Sequence, residues 1–159
     1  SGLGIAALIP VVESMGKGLM GTPLVSTVLA AELIRRAGGI AEEDVLEDIS
    51  GGCAATVAYL DRSDWGAVNR GLSVDAQGVL SGSKFMVPDA AQAAWIAVVG
   101  ANEASEPMVA LVSGDDIAVQ AQEAHALIDL TKRAATIDFT GIKARRVLSG
   151  AKIEGAVRD

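Results

Sequence analysis

The sequence has few aromatic residues and a single cysteine. Aromatics make up 3% of its 159 residues, whereas half of the residues are apolar. The core must therefore be built mainly from Ala, Val, Ile and Leu. Cys53 is the only cysteine and cannot form an internal disulfide. A lone cysteine suits a reducing compartment, and we expect a cytoplasmic protein.

Long apolar runs and basic clusters are also missing. No uncharged apolar run reaches the roughly 18 to 20 residues of a membrane span, so none is expected. Residues 3–12 are too short and lack the preceding basic region of a signal peptide. The net charge is -7, and without clustered Lys and Arg a nucleic-acid partner is disfavoured. A small ligand with one phosphate group is compatible with a few local cations.

Residues 1–51 have the spacing of helices. The predicted elements are a first helix within 3–15, a second between 23 and 38, and a third at about 42–49. Pro10 predicts a kink or a late start of the first helix. Thr22 and Pro23 are typical of an N-cap and a first helical residue. The apolar side of the second helix is predicted at Val25, Val28, Leu29 and Leu33.

From Cys53 onward the apolar period changes to two, which predicts strands. They are expected at 56–60, 68–74, 79–81, 84–87, 95–99, 109–112, 117–120, 133–139 and 144–148, with turn residues between them. Helices followed by strands favour separate α and β parts. We therefore predict an α+β fold, with a helical N-terminal part at 1–51 and an antiparallel β-barrel or sandwich domain at 52–159.

Residues with reactive side chains are sparse. His125 is the only histidine, and it is interpreted as a surface or loop residue because no orienting partner is evident nearby. Cys53 is interpreted as a small buried apolar residue. Lys143, Arg145 and Arg146 are typical of a solvated strand face, with a phosphate contact as the alternative. No residues show metal-ligand spacing.

A series of short motifs covers essentially the whole chain. They lie at 13–17, 22–24, 46–52, 55–61, 80–90, 96–99, 127–133 and 137–139. The run Leu80-Ser81-Gly82-Ser83-Lys84 has the pattern L-x-G-x-K of a hairpin. In order and spacing the series resembles the acyl-CoA dehydrogenase family. It matches the end of that family's helical N-terminal domain, followed by its β middle domain.

The resemblance implies a function for the parent protein. Acyl-CoA dehydrogenases oxidise acyl-CoA thioesters: a base removes the α-proton, and the β-hydride goes to N5 of FAD. The implied partners are acyl-CoA, an electron-transfer flavoprotein or similar acceptor, and further subunits of a homo- or hetero-oligomer. The family's C-terminal helical domain, which carries the base, would follow Asp159. We therefore expect no catalytic residue and no turnover in these 159 residues, and apolar surface on their helical part.

The resemblance also assigns candidate site residues. Flavin contacts fall on Tyr59, Leu60, Met86, Val87 and Pro88, and a CoA contact falls on Ser63. The family usually has Thr where Leu60 and Pro88 stand, and neither side chain here can donate a hydrogen bond. An alternative is therefore a non-catalytic partner subunit of a heteromeric dehydrogenase. Two further alternatives are a β-barrel binding module and, for Met86 and Val87, a plain core position.

Overall fold

The computed structural model describes residues 4–38, 43–61, 71–117, 122–129, 131–150, 153, 155 and 156. Helix α1 spans Ile9–Lys17 and follows a short 3-10 helix at Ile5–Leu8. Helix α2 spans Leu24–Gly38, and α3 spans Glu43–Ser50. The three predicted helices are thus confirmed, although residue 42 lies outside the described residues.

The helix starts follow from the prolines. Pro10 lies in the first turn of α1, where its missing N–H needs no partner, so the helix starts late. Helix α2 begins at Leu24, and the amide of Thr27 donates to the carbonyl of Pro23 over 2.9 Å. Pro23 therefore occupies the N-cap position. The predicted cap at Thr22 is wrong, because the helix begins one residue later than its sequence signal indicates.

Eight strands follow the helices in the described part of the chain. They are β1 at Ala55–Ala58, β2 at Leu72–Val74, β3 at Leu80–Pro88, β4 at Trp95–Ala101, β5 at Pro107–Ser113, β6 at Gln122–Ala124, β7 at Ala134–Asp138 and β8 at Arg146–Ser149. The strands predicted at 79–81 and 84–87 are one strand, and β6 was not predicted. Ile117 lies outside any strand, while 118–120 and 68–70 fall outside the described residues.

The strands form one open sheet in the order β6-β7-β3-β2-β4-β5-β8, and β1 also pairs with β4. Strands β1 and β2 run parallel to β4, while the other pairs are antiparallel. The short strands β1 and β2 lie one after the other along the same edge of β4, because β1 pairs with residues 95–98 and β2 pairs with Ala101. The predicted α+β class is confirmed, but the sheet formed by the described strands does not close into a barrel.

Strand β4 is buried on both of its faces. Ile96 and Val98 join an inner core with residues of β2, β3 and β7. Ala97 and Val99 join a second core with side chains of α2 and α3. We call these the inner core and the helix-side core. Because both faces are covered, β4 reads as a continuous apolar run rather than an alternating one.

Helix α2 buries the predicted face only in part: Leu33 is buried as predicted, and Val28 is half-buried. Its buried residues are Ser26, Ala30, Leu33 and Ile34. Val25 and Leu29 are 44% and 51% exposed. With Ile9, Leu19 and Met20 also exposed, the expected apolar surface on the helical part is confirmed. Among the described residues, no helix is both long and apolar enough to cross a membrane.

The two faces of α2 give a first prediction. Ile34 is fully buried in the helix-side core, so Ile34→Ala should lower the free energy of unfolding by about 2–5 kcal/mol. Leu29→Ala removes a side chain on the exposed face of the same helix, and its expected cost is about 0.5 kcal/mol or less. Urea unfolding midpoints compare the two variants. Equal midpoints would contradict the observed orientation of α2.

Candidate functional site

The candidate residues lie where the end of β1 meets the second half of β3. An isolated bridge joins Leu60 to Phe85, and the amide of Phe85 donates to the carbonyl of Leu60 over 2.6 Å. This bond brings Leu60 beside Met86, the next residue of β3. Residues from two strands that are far apart in sequence therefore adjoin at one place.

Strand β3 bulges at this place. In its pairing with β7, Lys84 is opposite Ile137 and Val87 is opposite Ala135, so two residues of β3 oppose Thr136 alone. Such a bulge bends the strand and re-aims a side chain. Met86 has φ 52°, a left-handed conformation that is uncommon for residues other than glycine. Conformations of this kind concentrate at functional sites.

Two of the predicted flavin contacts have their side chains in the cores. Val87 is 1% exposed and belongs to the inner core, and Tyr59 packs against the helix-side core. The side chains of Leu60 and Met86 are half-buried, and Pro88 is exposed. We call Leu60, Met86 and Pro88 the wall. The predicted CoA contact, Ser63, lies outside the described residues.

Three side-chain hydrogen bonds link Pro88 and its neighbour Asp89 to β1 and helix α2. The buried hydroxyl of Thr56 donates to the carbonyl of Pro88 over 2.6 Å. The hydroxyl of Ser26 donates to the carboxylate of Asp89. The amide of Ala55 donates to the hydroxyl oxygen of Thr27 over 3.1 Å. The first turn of α2 thus contacts the start of β1 and the residue that follows β3.

A buried ion pair joins the two strands directly before the bulge. The ammonium of Lys84, which is 0% exposed, pairs with the carboxylate of Asp61. It also donates to the carbonyl of Tyr59 over 3.1 Å. Burial lowers the pKa of Lys84 below its usual range, and the hydrogen bond and charge of Asp61 act in the opposite direction. We call this pair the clamp.

Sequence reasoning missed the clamp, although one signal was present. Lys84 stands in a strand at an inward-facing position, where a charge is stable only with a partner. Nothing in the sequence shows that the partner is Asp61, because the two residues lie 23 positions apart. The Leu60–Phe85 bridge brings them together.

His125 has partners that the sequence did not indicate. Its Nε2 lies 2.8 Å from the hydroxyl of Thr136, the residue opposite the bulge. Its ring meets that of Phe85 edge-on, with centroids 4.8 Å apart. His125 follows the end of β6 and is a loop residue, as predicted, but the expectation that it has no partner is wrong. The ring and the hydroxyl instead cover the strand next to Met86.

The structure resembles a set of solved structures. One is a variant of the steroid acyl-CoA dehydrogenase Tcur3481-Tcur3483, with a TM-score of 0.78, 25% identity, and coverage of 98% of this chain and 43% of that chain. The ChsE4-ChsE5 complex from Mycobacterium tuberculosis has a TM-score of 0.73, 20% identity and the same coverage. A glutaryl-CoA dehydrogenase from Mycobacterium smegmatis in complex with FADH2 has a TM-score of 0.60, 12% identity, and coverage of 80% and 37%.

The chain has the fold of the acyl-CoA dehydrogenases. The family resemblance that the ordered motifs indicated is thereby confirmed. The chain spans 43% of the length of the matched chains in the Tcur3481-Tcur3483 and ChsE4-ChsE5 structures. No protein-family model matches the sequence, and no curated protein matches it.

The other candidate side chains lie apart from the wall of this acyl-CoA dehydrogenase fold. Cys53 is exposed, so the interpretation as a buried apolar residue is wrong. Arg145 pairs with Asp116, and Arg146 pairs with Asp44. These exposed pairs agree with the predicted solvated strand face. Among the described residues, no three His, Cys, Asp or Glu side chains are grouped to hold a metal ion.

The hydrogen bond from Thr56 to Pro88 gives a second prediction. Thr56→Val keeps the shape of the buried side chain but removes the donor, so the free energy of unfolding should fall by about 1–3 kcal/mol. Thr56→Ser keeps the hydroxyl and should cost less than the valine variant. Urea unfolding midpoints of the two variants measure the difference. A valine variant as stable as the serine variant would show that the bond does not fasten the wall.

Proposed function

We propose that these residues are the end of the helical domain and the β middle domain of an acyl-CoA dehydrogenase-like flavoprotein. In this proposal the wall of Leu60, Met86 and Pro88 lies against the flavin ring of FAD. Bound FAD would supply the hydride acceptor for α,β-dehydrogenation of an acyl-CoA thioester. The described residues supply packing and orientation, and none of them is assigned as the catalytic base.

The bulge at Met86 is the observation that carries this proposal. The bulge changes the direction of the flexible, polarisable side chain of Met86. The motif series assigns this residue to the flavin-facing strand. Methionine packs favourably against aromatic rings. The solved structure with FADH2 has the same fold, which supports a flavin as the ring. The wall therefore fits a flavin through packing.

Hydrogen bonding at the wall fits less well and favours a second candidate. Leu60 has no side-chain donor, and Pro88 lacks both a hydroxyl and an N–H. The carbonyl of Pro88 already accepts from Thr56. The parent could instead be a non-catalytic partner subunit of a heteromeric dehydrogenase. The name of one similar structure describes a complex of two differently named chains, which supports a second, different chain as the partner.

The remaining partners follow from the proposed reaction. An acyl-CoA would be the substrate, and an electron-transfer flavoprotein or similar acceptor would reoxidise the flavin. The exposed apolar residues of α1 and α2 are consistent with further protein contacts in a homo- or hetero-oligomer.

Flavin content gives the third prediction. The complete protein, purified alone, should show flavin absorbance that bleaches when an acyl-CoA is added. Absorbance and bleaching that require a co-purified second chain would favour the partner-subunit candidate. A protein without flavin in both preparations would contradict the main proposal and leave only a binding or structural role.

A charge placed on the wall gives the fourth prediction. Met86→Asp suits the left-handed backbone, which Asp tolerates better than most residues. It should weaken flavin binding by about tenfold or more, because a carboxylate would lie unpaired against an apolar ring. Ser81→Asp on the same strand is the matched control, since Ser81 is exposed and outside the wall. Flavin titration that gives equal affinities for both variants would refute the position of the wall.

A further inference from the structure

We propose that Lys84 and Asp61 are positioning residues, whose buried ion pair sets the register of the two strand ends that form the wall. The inference rests on the proposed function, because the wall matters only if a flavin lies against it. Neither residue is assigned a direct contact with flavin or substrate. Their role is to hold Leu60 and Met86 at a fixed separation.

The cost of the clamp shows that stability alone does not explain it. The side chains of Lys84 and Asp61 are 0% and 3% exposed, so both charges have lost most of their water. A buried ion pair is often no more stabilising than apolar side chains of similar volume. What apolar residues cannot supply is the direction of a charged hydrogen bond. The clamp therefore favours one arrangement of the two strand ends over other arrangements.

Three consecutive residues that follow β1 contact two residues of β3. The carbonyl of Tyr59 accepts from Lys84, the carbonyl of Leu60 accepts from Phe85, and Asp61 pairs with Lys84. The ladder between β1 and β4 ends at Ala58. Beyond that residue, these contacts fix where Leu60 lies relative to the bulge.

Backbone packing prevents Asp61 from moving away. A Cβ atom built on Gly71 would lie 2.9 Å from the Cβ of Asp61, so the glycine backbone fills the space beside the carboxylate. A Cβ on Gly82 would in turn lie 2.2 Å from the carbonyl oxygen of Gly71. The backbone of Gly71 thus lies close to both β3 and Asp61, without room for a side chain at either glycine. The surrounding backbone therefore helps to hold the Lys84–Asp61 pair in place, in addition to the attraction between its two charges.

The clamp gives the fifth prediction, tested in the complete flavoprotein. Lys84→Met keeps the length of the side chain and removes its charge, and the double variant Asp61→Leu with Lys84→Met removes both charges. The double variant should unfold closer to the wild-type temperature than the single variant does. It should still bind flavin about tenfold more weakly and with shifted visible absorbance bands, because Tyr59 has lost its donor. Arg145→Met, which breaks an exposed pair, is the control. It should leave the flavin affinity and the visible absorbance bands unchanged.

A second readout does not depend on flavin. Hydrogen exchange at the amide of Phe85 reports the bond to Leu60, and exchange at Val98 in the centre of β4 reports overall stability. Lys84→Met and Gly71→Ala should both speed exchange at Phe85 by about tenfold more than at Val98. Gly71→Ala displaces Asp61 without removing a charge, so it tests the clamp even if the variants at Lys84 do not fold.

The outcomes separate the two proposals. A wild-type protein without flavin refutes the proposed function, and the exchange ratio then decides alone whether the clamp sets the register. A wild type that binds flavin, together with a folded double variant of unchanged flavin affinity and spectrum, overturns the positioning role. An unchanged exchange ratio in both Lys84→Met and Gly71→Ala overturns the register claim itself.

Discussion

The fold depends on the burial of β4 on both faces. Every residue from Ile96 to Ala101 is buried, so this strand needs apolar partners on two sides at once. The inner core covers one side with β2, β3 and β7. The helix-side core covers the other with α2 and α3. The helices and the sheet therefore share one buried strand, and the position of α2 is coupled to that of the strands.

That coupling reaches the wall through α2. The first turn of the helix contacts Ala55 at the start of β1 and Asp89 after the end of β3. Thr56, one residue further, donates to Pro88. The ends of the wall are therefore anchored to elements that pack on β4, while its middle is set by the clamp and the bulge. An apolar surface of three residues thereby gains a fixed shape, although loops and side chains at a sheet end are usually adaptable.

The sequence was sufficient for the class of fold and the order of its elements. Three- and four-residue spacing identified the helices, and the change to a period of two identified most strands. The period does not distinguish parallel from antiparallel pairing, so the parallel pairing of β1 with β4 was not predictable from it. The buried face of α2 was assigned correctly at Leu33 but wrongly at Val25 and Leu29, which are exposed, while Ser26 is buried. Tertiary contacts decide that choice, since Ser26 hydrogen-bonds Asp89.

The candidate site was predictable only in part, for a related reason. The motif series named Leu60 and Met86, but neither the bulge nor the left-handed backbone of Met86 follows from a local pattern. Both depend on pairing with β7, some 50 residues later in the chain. The partners of Lys84 and His125 are likewise distant in sequence.

Neither Leu60 nor Pro88 has a side-chain hydrogen-bond donor, which limits how the wall could hold the proposed flavin. Hydrogen bonds to a flavin would hold the ring by themselves and would tolerate some movement of the strands. A wall that acts by packing depends on shape, because dispersion contacts weaken steeply when surfaces separate by 0.5–1 Å. A wall that acts by packing therefore needs a more rigid frame than a wall that forms hydrogen bonds. The fully buried charge of Lys84, held between Tyr59 and Asp61, supplies that rigidity next to the residues that lack donors.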